Sequence, residues 1–427
     1  MRVTTPGAVA CVAAAGETSR PGVVPVSDGA DGASGPLGAP LQLRCGVRLK
    51  NRLVKAAMSD SLGDGAGGPT DAQIALYGRW VTGGAALSVI GEVQVDPRYP
   101  EKPGNLVLDG SVDSRRLRRM STLADAASAH IWPQLGHAGA LSDRRVSDPV
   151  GPSPLELGGA SCREITVAEI EALPGRFAGA ARRAIELGFT GVEIHAAHGF
   201  LLSEFLSPLF NRRRDAFGGS IEGRSRLLLS ILQRVRQAVG PHRAIGVKIN
   251  ATDELVGGLE ESDSLALVEM LDQQGVDLIS ISGGTYFPGA LSSADRPPSG
   301  PYYVDFARRA RRVTRTALML TGGVKRQADA EALVEEGTVD LVGLARALVL
   351  DPDLPDHWLG PDPEDPVFPR FASTPPGGVT AWYTMRLTAL AQGDAHGHGA
   401  TPAAALASYE ERDTRRVQRW RERFAAR

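Results

Sequence analysis

Lysine is scarce in this chain. Of 47 basic residues among 427, only Lys50, Lys55, Lys102, Lys248 and Lys325 are lysine. Arginine is the default, so a lysine marks a place where a compact point charge has been kept. Cysteine is scarcer still. Cys11, Cys45 and Cys162 lie too far apart for a C-x-x-C spacing, which excludes a disulfide framework and a cysteine-held metal or cluster. A surplus of either charge is also lacking. The formal net charge is −2, so no global field gathers nucleic acid or an anionic membrane. Long apolar runs are absent, because Gly or charge interrupts each within about ten residues, well short of a membrane span. Aromatics make up only 5%, yet 42% of residues are hydrophobic and 22% charged, a globular balance. These features lead us to expect a cytoplasmic protein with no nucleic-acid or membrane partner.

What is present is alternation. Short apolar runs recur at Leu53–Met58, Ala85–Ile90, Ile131–Gln134, Gly191–His195, Ile245–Ile249, Leu278–Ile281, Leu318–Thr321 and Leu341–Gly343. Between them lie stretches with helical apolar spacing, including Thr70–Val81, Val167–Leu187, Ile221–Val239, Glu261–Gln274, Val304–Arg315 and Gln327–Glu336. Strand–helix units in series predict a parallel sheet with crossover helices, and eight is the number that closes a (β/α)8 TIM barrel. We expect an α/β fold with one large domain over residues 37–359, a leader over 1–36, and an extension over 360–427. The extension begins with a Pro- and Gly-rich connection and ends in a charged helix. Trp420 and Phe424, four residues apart there, form a docking edge. An open doubly wound sheet would want a Gly-rich turn after the first strand. Gly63, Gly65 and Gly68 match G-x-G-x-x-G, but Pro69, Thr70 and Asp71 follow, so a connecting loop is the better reading.

In a closed barrel the chemistry lies at the carboxyl ends of the strands. In Gly191–His195, Val192 and Ile194 share one parity, and Glu193 and His195 share the other and face the axis. His198 follows in the loop. Two imidazoles three residues apart can converge on a carbonyl oxygen and stabilise an oxyanion. Lys248 points inward at the same end. It suits an anionic ligand atom on the axis or a Schiff base, unless Glu193 or Asp253 pairs with it. Gly322 and Gly323 end the seventh run and Arg346 follows the eighth, together forming a candidate phosphate site.

With those residues in place, the chain resembles the old yellow enzyme family, FMN-dependent and NAD(P)H-linked barrels that reduce activated alkenes. The resemblance rests on LKNRLVKAAM, GEVQVDPRYPEKPGN, PQLGHAG, HAAHGF, EFLSPLFNRRRDAFGGSIEGRSR, ISISGGTY, LTGGV and VGLARAL, which span roughly residues 41–355. It implies that Ala57 and Met58 lie against the flavin, that Ser59 tunes its potential, and that Gln134 bonds its pyrimidine edge. His195 and His198 would hold the substrate carbonyl oxygen, and Lys248 would stand at flavin N1 and O2. Gly322, Gly323, Ala345 and Arg346 would hold the FMN phosphate, Ala345 where glycine is more usual.

Two departures from the family matter. Phe200 occupies the place of the tyrosine that protonates the alkene, and Glu92 brings a carboxylate near the flavin. The expected reaction is hydride transfer from NAD(P)H through flavin N5 to an enone or enal. Its proton would come from water or from Tyr99, Tyr286, Tyr302 or Tyr303. Slow protonation would equally suit a double-bond isomerase or a desaturase. Specificity would lie in loops 92–105, 137–163 and 284–303, and the tail after 378 is a candidate oligomer contact. The rival classes are a flavin-binding scaffold without turnover and a metal-dependent barrel hydrolase. The latter would use His195, His198 and Glu193 or Glu92 as ligands, with His137 nearby; the resemblance implies no metal.

Overall fold

The computed structural model describes residues 35–290, 300–394 and 400–424. The expected leader lies outside them, apart from residues 35 and 36. Eight parallel strands form the centre: β1 (Leu53–Met58), β2 (Leu87–Gln94), β3 (His130–Gly136), β4 (Gly191–Ala196), β5 (Ala244–Asn250), β6 (Leu278–Ser282), β7 (Ala317–Thr321) and β8 (Leu341–Leu344). Each pairs with the next, and β8 pairs with β1, so the sheet closes. The expected runs thus coincide with the strands to within a few residues, and the barrel forms one large domain.

Helices α1 (Asp71–Thr82), α2 (Ser114–Ser121), α3 (Val167–Glu186), α4 (Ile221–Val239), α5 (Glu261–Gln273), α6 (Val304–Val313) and α7 (Gln327–Glu335) surround it. Local chemistry starts them. Thr70 caps α1, its hydroxyl accepting the Gln73 N–H, and Thr166 and Glu169 form a reciprocal capping box on α3. The Gly63–Gly68 segment is a loop. Gly63 bridges to Pro69, and the Asp64 carboxylate accepts the amides of Ala66 and Gly68.

Strand parity divides the core in two. Val192, Ile194, Ile245, Val247 and Ile249 pack outward against the helices. Val54, Leu87, Val89, Trp132, Leu278, Met319 and Leu341 fill the barrel floor, where a short hairpin (Leu41–Gln42 with Arg48–Leu49) adds Leu41 and Leu49. Residues 360–377 contain no regular element, and two helices follow, α8 (Gly378–Ala391) and α9 (Pro402–Phe424). Trp420 and Phe424 are buried against Val107, and the Trp420 indole N–H donates to Pro97 O at 3.0 Å.

Candidate active site

The register of the barrel stacks the inward side chains in layers. Gln134, Glu193 and Gly246 lie side by side, and one layer higher His195, Lys248 and Ser280 do the same. The lower layer is satisfied internally. Glu193 accepts the Gln134 amide at 2.6 Å and the Ser280 hydroxyl at 2.5 Å. Asp253 accepts the Asn250 amide at 2.9 Å and the Leu259 N–H at 2.8 Å. Both carboxylates that sequence offered to Lys248 are therefore engaged elsewhere. Lys248 is 1% exposed, and among the described residues no carboxylate forms an ion pair with it. A buried ammonium in that condition is costly unless something anionic meets it.

The upper layer holds the histidines. His195 Nε2 lies 3.1 Å from Glu92 Oε1, and its Nδ1 is buried without a hydrogen-bond partner. His198 has a left-handed backbone, φ 63°. Asn250 Oδ1 fixes that turn by accepting the His198 N–H at 3.1 Å, and Ser282 Oγ meets His198 Nε2 at 2.8 Å. The two rings stand edge to face, 5.2 Å apart. Burial, reinforced by Lys248, lowers His195 to a pKa of about 3. Burial, then His195 and Lys248, hold His198 well below the ordinary imidazole range. Both rings are neutral at physiological pH, and each offers one N–H and one acceptor.

Two carboxyls stand above them. Burial raises Glu92 to about 8 against the pull of Lys248. Burial likewise raises Glu101 to about 7, although Lys102 opposes it. Ser59 Oγ donates to Glu101 Oε2 at 2.8 Å, and the Asn105 amide meets the same atom at 3.3 Å.

The aromatic candidates separate. Phe200 is buried, its ring 5.0 Å from His195 and 5.6 Å from Tyr286. Tyr286 also stands 5.8 Å from His198, yet it is 64% exposed, so it lines an open mouth. The other tyrosines pack elsewhere. Tyr99 is buried and stacks on His137 at 4.4 Å. Tyr302 lies against Gly322 and Gly323, where an added Cβ would stand 3.0 and 2.9 Å from its ring. Tyr303 fills the space over Gly283.

At the opposite side of the mouth, Gly322 and Gly323 both have positive φ, 123° and 79°, which suits glycine. Ala345 and Arg346 lead into a short helix, Ala347–Leu350, and the Arg346 guanidinium lies 5.7 Å from the Tyr383 ring centroid. Ala57 and Met58 end β1 beside a register shift, and Gly91 faces Met58 closely enough that a Cβ would strike its carbonyl.

Ser280, Ser282 and Asn250 were missed by sequence reasoning. The alternation Ile279-Ser280-Ile281-Ser282 was the available signal. Also missed was the buttress from α9, whose Arg416 bonds the Ser61 carbonyl and whose Tyr409 ring lies 5.8 Å from the Lys102 ammonium. Among the described residues no group of three or more His, Cys, Asp or Glu side chains is placed to hold a metal. Among the same residues no helix is long and apolar enough to cross a membrane.

Comparison with known proteins gives a consistent picture. The profile of a family described as NADH:flavin oxidoreductase / NADH oxidase matches residues 36–358. The NADH-dependent flavin oxidoreductase iliE of Hypocrea jecorina (strain QM6a) is 37% identical over 350 residues, covering 74% of this chain and 87% of that protein. The NADH oxidase of Thermoanaerobacter brockii is 32% identical over 320 residues, 72% of this chain, and this chain spans only 48% of it. The solved structure of morphinone reductase in complex with tetrahydroNAD superposes with a TM-score of 0.65 at 26% identity, covering 75% of this chain and 90% of that one.

Proposed function

The chain belongs to the NADH:flavin oxidoreductase / NADH oxidase family, and on that premise we propose that it reduces α,β-unsaturated ketones or aldehydes, using NAD(P)H and FMN bound in the barrel mouth. The residues present fit FMN. A buried ammonium that pairs with no carboxylate among the described residues, Lys248, calls for an electron-rich partner on the axis. Across the mouth, the Gly322–Gly323 turn permits close backbone approach, and Arg346 offers a fork for a phosphate. Ala57, Met58 and Gln134 would meet the ring, and Ser59 would reach it with a hydroxyl already anchored on Glu101. Bound there, FMN would supply the two-electron redox chemistry that links NAD(P)H as hydride source to an electrophilic carbon as acceptor.

One observation carries the substrate class. A neutral His195 keeps an unbonded, buried Nδ1 beside a second neutral imidazole. Such a pair suits a carbonyl oxygen that gains charge as hydride arrives at the β-carbon. Phe200 and Tyr286 would form the apolar wall over the alkene. Phe200 has no proton to give, so the reaction lacks the usual carbon-directed acid.

The test is Phe200→Tyr. Restoring a positioned acid is expected to raise alkene reduction at saturating substrate by about 10² or more. Unchanged or lower turnover would count against the reading. Phe200 also supports a second reading, double-bond isomerisation or desaturation. Deuterated NAD(P)H separates the two: label retained in a saturated product means reductase, and label-free rearrangement without net reductant use means isomerase.

A further inference from the structure

Glu92 does nothing in the reading above, yet its placement is unusual. It is a non-glycine residue held at φ 57°, in the left-handed region. Such a conformation is strained in a residue with a side chain and persists only where the surroundings enforce it. It occurs at a break in register between Ile90 and Val93 on β2. Val89 faces the barrel floor, whereas Val93, of the same parity, packs in the outer core. The break therefore reverses the alternation and turns Glu92, which strict parity would send outward, into the mouth. Its carboxyl then meets His195 Nε2 at 3.1 Å, and Gly136 leaves the space that the pair occupies.

We propose that Glu92 is the proton source of the reaction, acting through His195 onto the oxygen of the substrate. The inference rests on the enone reading above. Glu92 Oε1–H donates to His195 Nε2, which fixes the proton of the neutral ring on Nδ1, the nitrogen left without a partner. That N–H donates to the substrate carbonyl oxygen. When hydride adds to the β-carbon, the alkene π pair shifts and the carbonyl oxygen becomes an enolate oxygen. The enolate takes the Nδ1 proton, Nε2 takes the Glu92 proton, and Glu92 is left as a carboxylate. The enol then loses its O–H proton to water and gains one at the α-carbon; solvent returns a proton to His195 Nδ1 while Nε2 passes its proton back to Glu92, which restores both groups. One hydride and one proton are consumed for each alkene reduced, and the α-carbon takes its proton slowly from solvent, the step that an acid at position 200 would speed.

The charged and titratable groups facing Glu92 are His195 from β4, Lys248 from β5, Glu101 from the loop after β2 and Tyr286 from the loop after β6. Burial keeps the Glu92 carboxyl protonated until about pH 8. Lys248 favours the carboxylate that proton transfer leaves behind. An ordinary phenol stays protonated to about pH 10, and crowding around the Tyr286 hydroxyl, with Glu101 and Glu92, raises it further although much of the ring is exposed, so the two groups predict different profiles.

The experiment combines rapid kinetics with infrared spectroscopy on the flavin-loaded full chain. Reoxidation of the reduced enzyme by an enone is expected to slow as pH rises through about 8. Glu92→Gln is expected to lower that rate by about 10²-fold and to abolish this limb. Difference infrared spectra across the same pH should show a protonated-carboxyl band in the wild type that Glu92→Gln removes. The proposal is overturned if the limb survives in Glu92→Gln, if the limb disappears in Tyr286→Phe instead, or if the wild type has no such band at neutral pH. If Glu92→Gln fails to fold, Glu101→Gln carries the test: the band and the limb near pH 8 should both persist in it, and loss of both there would overturn the proposal. If enones fail to reoxidise even the wild type, the substrate reading falls, and the band alone then decides whether the protonated Glu92 exists.

Discussion

The two ends of the same eight strands follow opposite rules. At the floor, Val54, Leu87, Val89, Trp132, Leu278, Met319 and Leu341 form a sealed apolar plug, closed by the hairpin that brings Leu41 and Leu49. The one polar group carried by Trp132 is satisfied, its indole N–H donating to Thr190 Oγ1 at 3.0 Å. A few residues along the same strands, the mouth buries Glu92, His195 and Lys248, leaves His195 Nδ1 unbonded, and holds two non-glycine residues, Glu92 and His198, in left-handed backbone. The floor lowers the free energy of the fold, and the mouth raises it. Strain and unsatisfied polarity in the side chains that line the mouth mark a place held for chemistry rather than for stability.

That contrast can be broken most forcefully at the floor. Trp132→Ala deletes a fully buried ring and leaves a cavity, which should cost about 3–5 kcal/mol of unfolding free energy. Denaturant titration measures it directly. A loss below about 1 kcal/mol would mean that the floor is not the plug its packing describes.

The mouth should answer with the opposite sign. Lys248→Met removes a buried ammonium that pairs with no carboxylate among the described residues, so the flavin-free protein should gain about 1–3 kcal/mol. Flavin affinity, read by fluorescence on titration, should fall in the same variant. If the flavin-free variant is instead less stable, the ammonium is compensated and the distinction between the two ends weakens.

How much of this was legible without coordinates follows the same division. Short apolar runs located all eight strands, and period-two parity told Glu193, His195 and Lys248 from their outward neighbours, because a regular strand cannot slip its parity. Thr70 and Val167–Leu187 were legible because caps and amphipathic spacing are local. Glu92 was not legible as a partner of His195. Its orientation depends on a register break that no pattern announces, since strict alternation sends Val93 inward and Glu92 out. Helix α8 was missed for a different reason: its sequence, GVTAWYTMRLTALA, is apolar over most of its circumference and shows little amphipathic contrast. Separating Tyr286 from Tyr99, Tyr302 and Tyr303 required loop geometry, which composition does not encode.

The smallest effect sharpens the comparison by setting Glu92 against a glutamate on the outer shell. Glu169 accepts the Thr166 N–H at 2.9 Å in the capping box of α3 and pairs with Arg163 at 2.7 Å. Chiefly through that arginine its pKa falls to about 2. Its folded value lies below the unfolded one of about 4.3. The stabilisation is therefore complete above pH ~4.3 and is lost as pH falls toward 2. Because the pair is partly exposed, the contribution at neutral pH is under about 1 kcal/mol. Glu92 has the reverse sign. Its folded pKa, about 8, lies above the unfolded value, so its contribution is most favourable in acid and declines as pH rises to about 8. Unfolding free energies of Glu169→Gln and the wild type should therefore converge in acid and separate toward neutrality. Those of Glu92→Gln and the wild type should shift in the variant's favour between pH ~4.3 and ~8. Parallel pH profiles for the two variants would show that the exposed shell and the buried mouth treat a carboxyl alike, and the asymmetry between them would fail.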